Sequence, residues 1–262
     1  MFWVIQENFM KDEGQYQLML NTLERLEIPH QIVKYVPIGC FLEPDVNPEG
    51  KVWVMGGVSM DRICQAKGWL PGYSKENLEY DKLLKNYGDL MLNSDAVVGK
   101  ILEVSPPWPF FFIRPCNDRK SFSGQTMTQE GLKVWQEKLA KDGAEESSKQ
   151  SVQPNSVVVC ASEKEIRCEW RFFVVNNQPI TASLYKRGGE VRYDALVDER
   201  VWDFVREVIE VWAPNPAFVL DVCETADGQM KVMEINSLNS AGFYACQIDR
   251  VVVALEELFN VG

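Results

Sequence analysis

Residues 218–236, FVLDVCETADGQMKVMEIN, hold the side chains best suited to chemistry. The segment reads as two short strands around Asp227-Gly228, a dipeptide that tolerates the positive φ of a two-residue hairpin turn. Pairing outward from that turn sets Ala226 against Gln229, Val222 against Met233 and Asp221 against Glu234. Alternation then gives an apolar face of Leu220, Val222, Met233 and Ile235, and a polar face of Asp221, Glu234 and Asn236. Carboxylates facing each other across a sheet repel, so a cation is expected between them. Two carboxylates and an amide oxygen form a hard, all-oxygen donor set, which suits Mg²⁺ bound together with substrate phosphates. Acidic residues on a hairpin more often form a solvated face. Here the apolar opposite face and the small polar loop at 237–242, SLNSAG, favour a ligand site.

A metal so placed needs cations for the phosphates. Arg114 ends an apolar strand, where a planar guanidinium keeps a fixed direction, toward either a phosphate or a structural carboxylate. Lys120 lies in the loop RKSFSG, where Ser121, Ser123 and Gly124 offer hydroxyls and backbone N–H groups. Glu169 and Arg171 flank Trp170 and share one face of a strand. They make either a same-strand ion pair or an orienting pair in a phosphate cleft.

The elements that position these groups follow from periodicity and punctuation. Strands are predicted at 2–6, 30–36, 51–55, 110–113 and 157–160, with a hairpin of 168–175 and 180–185 around Asn176-Asn177. Helices are predicted at 15–26, 61–67, 80–92, 128–139 (capped by Thr128), 201–212 and 248–259. Strand–helix alternation over the first hundred residues implies a small Rossmann-like α/β unit with a parallel sheet. Gly56-Gly57 lacks the spacing of a dinucleotide fingerprint and reads better as a tight turn. Three prolines in SPPWP, residues 105–109, can continue neither helix nor central strand. They divide the chain into an expected domain at 1–104 and another at 105–262. Residues 141–156 read as a surface loop. The fold class is α/β (α+β).

Composition narrows the function. A net charge of −11 argues against a general nucleic-acid binder. The sequence has no apolar run long enough for a bilayer span, and the N-terminal MFWVIQENF lacks the basic start of a signal peptide. A cytoplasmic protein is expected. Seven scattered cysteines without a C-x-x-C read as buried, reduced thiols. The single histidine, His30, sits at a strand edge and reads as structural, which leaves no Ser-His or Cys-His nucleophile.

The order FIRP, KSFSG, VVVCASE, EWRFFVV, LYKR and FVLDV…MEINS resembles the ATP-grasp superfamily of carboxylate–amine ligases. More closely, it resembles a clade, common in phages and bacteria, in which arginine replaces the first nucleotide-binding lysine. The resemblance covers residues 105–262; the first hundred residues look like the α/β domain that precedes the two grasp subdomains. It implies ATP and Mg²⁺, with Asp221, Glu234 and Asn236 as metal ligands. Arg114 would take the place of the lysine on the α-phosphate, and Lys120 would contact the phosphates or the adenine edge. Val159, Cys160 and Ala161 would form the strand whose backbone reads adenine, Glu163 would bind the ribose, and Glu169 would stand near the nucleotide. Arg171 would stabilise the transferred phosphoryl group and the acyl-phosphate. The implied reaction joins a carboxylate and an amine, each from a small molecule, peptide or protein. Glu234→Gln and Arg171→Ala are expected to stop turnover in a folded protein. The loop at 239–244, NSAGFY, either faces the acceptor or only connects to the last helix. The alternatives are a nucleotide-binding module without ligase activity and a kinase-like phosphoryl transferase of the same fold.

Overall fold

The computed structural model describes residues 1–10, 12–116, 121–142 and 152–260. Its first sheet is built from β1 (Phe2–Gln6), β2 (His30–Val36), β3 (Phe41–Glu43), β4 (Val52–Met55) and β5 (Pro71–Gly72). Their order is β3-β2-β1-β4-β5, parallel except at β3. Its central strands β1 and β4 are apolar on both faces, as a covered parallel sheet requires. Val4, Val52 and Val54 face α2 (Met60–Lys67), while Trp3, Ile5, Trp53 and Met55 face α1 (Glu13–Arg25) and α6 (Ile248–Asn260). Asp12 caps α1 by accepting from the Gln15 N–H at 3.2 Å.

Helix α3 (Tyr80–Tyr87) is shorter than periodicity suggests, because Gly88 breaks it into a 3₁₀ turn, Gly88–Leu90. The next sheet has four strands in the order β6-β9-β7-β8: β6 (Val97–Lys100), β7 (Phe110–Pro115), β8 (Gln125–Thr128) and β9 (Val157–Ala161). Helix α4 (Gln129–Asp142) follows β8, and the Thr128 hydroxyl accepts from the Gly131 N–H at 3.0 Å. Because β6 pairs with β9, this sheet draws strands from both sides of the proline cluster.

The largest sheet is antiparallel, in the order β12-β11-β10-β13-β14: β10 (Ile166–Val175), β11 (Gln178–Arg187), β12 (Glu190–Asp194), β13 (Ala217–Thr225) and β14 (Met230–Asn236). Asn176 and Asn177 both have positive φ, 51° and 58°, as the β10–β11 turn requires. One face packs Trp170, Phe172, Leu220, Val222, Val232 and Ile235 against α3 and α5 (Glu199–Val211). The opposite face changes character along its length. At one end Phe173, Val175, Ala217 and Val219 join the core under α1 and α6. At the other end the same alternation presents Glu169, Arg171 and Asp221.

Candidate active site

Asp221 does face Glu234, but not by way of the expected turn. Thr225 and Gln229 close a three-residue loop, with the Thr225 N–H donating to the Gln229 carbonyl at 3.0 Å and Gly228 at φ 83°. Val222 therefore pairs with Val232, not Met233. A β-bulge at Met233 restores the register, so Asp221 meets Glu234 after all. The bulge also turns Met233 from the expected apolar face into a cleft that Glu234 lines. A second bulge, at Tyr185 on β11, brings both Tyr185 and Lys186 to the same cleft. The Tyr185 hydroxyl lies 3.8 Å from Met233 Sδ, so the two irregularities meet.

This cleft, of about 560 Å³, lies between the four-stranded and the antiparallel sheet. Arg114, Ser123, Gly124, Glu163, Glu169 and Glu234 all line it. Gly124 approaches so closely that an added Cβ would sit 2.5 Å from the Phe112 ring, so a side chain there would displace the loop. Lys120 falls outside the described residues. Val159, Cys160 and Ala161 do not reach the cleft. They are fully buried in β9, an interior strand: β7 pairs with all three, and β6 pairs with Val159 and Cys160 on the other edge. The expectation that their backbone reads a base finds no support at Val159 and Cys160, whose two edges are both paired; Ala161 is paired on one edge. The cleft is lined instead by the segment that leaves β9: Ser162, Glu163 and Lys164.

Two arginine–carboxylate pairs organise the polar end of the sheet. Arg171 grips Asp221 with a bidentate fork, Nε to Oδ1 at 2.8 Å and Nη2 to Oδ2 at 2.7 Å, and its Nη1 donates to the Gly242 carbonyl at 3.2 Å. Its guanidinium also lies over the Tyr244 ring at 4.8 Å, and Tyr244 stacks between Tyr185 and Tyr193. Arg114 instead pairs with Glu234, Nη1 to Oε2 at 2.8 Å, and lies over the Tyr80 ring. Asn236 joins the two pairs: its Nδ2 donates to Asp221 Oδ2 at 3.1 Å and to Glu234 Oε1 at 3.0 Å. Glu169 pairs with Lys186 at 3.1 Å, not with Arg171 on its own strand.

The environments push the two facing carboxyls apart. Burial raises Asp221 above its ordinary value, against the pull of Arg171 and with Glu234 and Glu169 adding to the rise. Burial would also raise Glu234, but the Arg114 charge and the Asn236 hydrogen bond outweigh it and hold that carboxyl low. Burial works against the Arg171 charge too, yet Asp221 more than restores it. Burial pushes the Cys160, Cys223 and Cys246 thiols up to about 12, which removes them as nucleophiles at neutral pH. His30 Nδ1 lies 2.9 Å from the Ile28 carbonyl, a local contact far from the cleft.

The oxygens of Glu234, Asp221 and Asn236 are of the hard kind that Mg²⁺ takes: Asn236 lies within hydrogen-bonding distance of both carboxylates, Glu234 opens on the cleft, and both Asp221 oxygens are held by Arg171. With the Asn236 amide turned over, its oxygen would replace the nitrogen that now faces both carboxylates.

Beside these residues lies a second cavity of about 480 Å³, lined by Arg171, Asn236, Tyr193 and Tyr244 and by Phe9, Met10, Asp12 and Val58, from the segments that follow β1 and β4. The loop expected either to face an acceptor or only to connect to the last helix divides its labour. Ser240, Ala241, Gly242 and Tyr244 line this cavity. Asn239 does not: it is fully buried, its Nδ2 donates to the Val54 carbonyl at 2.6 Å and to that of Gly72 at 3.0 Å, and its Oδ1 accepts from the Ser74 N–H at 2.9 Å. It fastens the loop to the first sheet. The sequence reads Tyr185 and Lys186 only as part of the LYKR motif and Met233 as an apolar-face residue, because the β-bulges that bring them to the cleft leave no periodic signal; Tyr193, on a short edge strand, is not singled out.

Among solved structures, the D-cycloserine synthetase DcsG matches with a TM-score of 0.66 at 12% identity, covering 98% of this chain and 99% of that one. A RimK domain ATP-grasp protein from Sphaerobacter thermophilus matches at 0.62 with 13% identity, covering 99% and 100%. The ATP complex of D-alanine–D-alanine ligase from Bacillus anthracis matches at 0.61 with 11% identity, covering 99% and 97%. A search of curated proteins finds no match. The model of an ATP-grasp domain, the second family of its clade, matches residues 96–254, and the chain belongs to that ATP-grasp family.

Proposed function

We propose that this chain is an ATP-dependent carboxylate–amine ligase that works through an acyl-phosphate. The observation that carries the reading is the wall made by Glu234, Asn236 and Asp221. One side is a cleft with Arg114, Lys164 and Lys186; the other is a separate cavity that Arg171 enters. A nucleotide and an acceptor thus have separate rooms that meet at one charged partition. Proteins of the same fold are named as a D-cycloserine synthetase and D-alanine–D-alanine ligases, which supports the ligase reading.

In this reading ATP occupies the cleft. Glu163 would bind the ribose and Arg114 the phosphates, the role the resemblance gives Lys120 as well, and Phe112, Phe122 and Met233, which line the cleft, would supply apolar walls. Glu234, Asn236 and Asp221 would hold Mg²⁺, which when bound would neutralise phosphate charge. The substrate carboxylate oxygen attacks the γ-phosphorus and ADP leaves. The amine nitrogen then attacks the acyl carbon, the C–O bond to phosphate breaks, and the ammonium proton passes to solvent. Such transfer needs positioning and fixed charge rather than a covalent protein nucleophile, as the inert thiols and distant His30 require.

The test is ADP release from ATP and Mg²⁺ with pooled carboxylates and amines, for wild type and Glu234→Gln. Acceptor-dependent release by wild type, with amide product, is expected. A stable phosphorylated product with no amine incorporated would assign a kinase instead, and saturable ATP binding without turnover on any pool would contradict catalysis.

A further inference from the structure

The second cavity deepens the ligase reading, on which this inference rests, because its lining is selective. A guanidinium has five N–H donors. Among the described residues Arg171 commits three, two to Asp221 and one to the Gly242 carbonyl. One N–H on each terminal nitrogen remains uncommitted, and Arg171 is only 8% exposed. A buried cation with a free donor on each terminal nitrogen at a cavity wall suits a carboxylate in charge and hydrogen-bonding capacity.

The fold marks the same place independently. Strand β1 is flanked by β2 on one side and β4 on the other, and the chain reverses direction of travel across the sheet there. Ligands of open α/β sheets bind beyond the C-terminal ends of the strands at such a switch point. Phe9, Met10 and Asp12 follow β1 and Val58 follows β4, and all four line this cavity.

The remaining lining sets the class. Phe9, Met10, Val58, Ala241, Tyr193 and Tyr244 are apolar or aromatic, while Ser240 and Asn236 add polar groups from the loop and sheet on the Arg171 side. Gln15 is committed through its Oε1 to the Phe243 N–H at 3.1 Å and through its Nε2 to the Tyr244 carbonyl. Asp12 brings a negative charge to the far rim. We infer that the cavity selects a monocarboxylate with a compact apolar or aromatic body, its carboxylate on Arg171, with Phe9, Met10 and Val58 recognising the body and Asp12 repelling a second acidic group.

Calorimetric titration of the full chain, with ADP and Mg²⁺ present, tests this with 3-phenylpropionate and glutarate as probes. Wild type is expected to bind 3-phenylpropionate at least about tenfold more tightly than glutarate, since like charges at a desolvated contact are costly. Val58→Trp fills the cavity from an exposed loop and should weaken 3-phenylpropionate by about tenfold or more. Asp12→Asn keeps a good helix cap and should narrow the gap between the two probes. Equal binding of glutarate, or indifference to Val58→Trp, overturns the assignment. ADP affinity, titrated alone, separates the two readings. ADP binding without 3-phenylpropionate binding sinks the pocket and keeps the nucleotide site; the reverse keeps the pocket and sinks the ligase.

Discussion

The Arg171–Asp221 and Arg114–Glu234 pairs stand next to each other across β13 and β14, and they differ in every physical respect that matters. The first is buried, with 10% and 2% of its side chains exposed, and is held by a bidentate fork and a third hydrogen bond to backbone. The second lies on the cleft, with 23% and 30% exposed, and rests on one short ion pair. Chemically similar partners therefore have different uses. The buried pair holds a guanidinium in one orientation. The cleft pair can open, freeing Glu234 for a metal and Arg114 for a phosphate. It also shows why the Arg171→Ala expectation needs revision: removing that guanidinium strips a buried carboxylate of its partner, so the fold suffers along with the chemistry.

Breaking the buried pair should have the largest effect. Asp221→Asn leaves the Arg171 charge without its counter-ion and should cost about 3–5 kcal/mol in denaturant unfolding. Replacing both partners, Arg171→Met with Asp221→Leu, should recover most of that loss while turnover stays absent. Recovery of stability together with activity would deny Arg171 any part in the reaction.

The cleft pair should show the opposite pattern. Glu234→Gln should change stability by no more than about 1 kcal/mol, as expected of a partly exposed pair, yet lower ATP turnover by about 10²–10³. Similar unfolding midpoints and a collapsed rate are the result to look for.

The smallest effect is in pH dependence. Glu234 has its carboxyl held below the ordinary 4.5, so its contribution is complete above that pH and is lost as pH falls through the lowered folded value. Thermal melts between pH 7 and pH 3 should therefore fall more steeply on the acid side for wild type than for Glu234→Gln. Parallel curves would mean that Arg114 does not stabilise the ionised carboxylate.

How far the sequence revealed this arrangement varies with the kind of signal. The long strands and the six helices of the described residues follow from periodicity, and the pairing of Asp221 with Glu234 is expected from counting outward from the turn. Yet that pairing arises from two departures that cancel, a longer turn and a bulge at Met233. Counting residues outward from a turn cannot detect such a pair. The two-residue strand at Pro71–Gly72, the polar strand at Gln125–Thr128 and the edge strand at Glu190–Asp194 are too short or too polar to alternate, and they are made by their neighbours. For the same reason the second cavity was invisible. Its walls come from residues near 9, 58, 171, 193 and 240, which only the packing of the first sheet against the antiparallel one brings together.

The central claim is that Glu234, beside Asn236 and Asp221, holds the divalent cation of a nucleotide in the cleft. Titrating Mn²⁺ and ADP into wild type and Glu234→Gln, with the bound Mn²⁺ read by electron paramagnetic resonance, tests it directly. Tight, nucleotide-dependent Mn²⁺ binding by wild type, weakened by about tenfold or more in a folded Glu234→Gln protein, is the predicted result. Equal Mn²⁺ binding by the two proteins would contradict it.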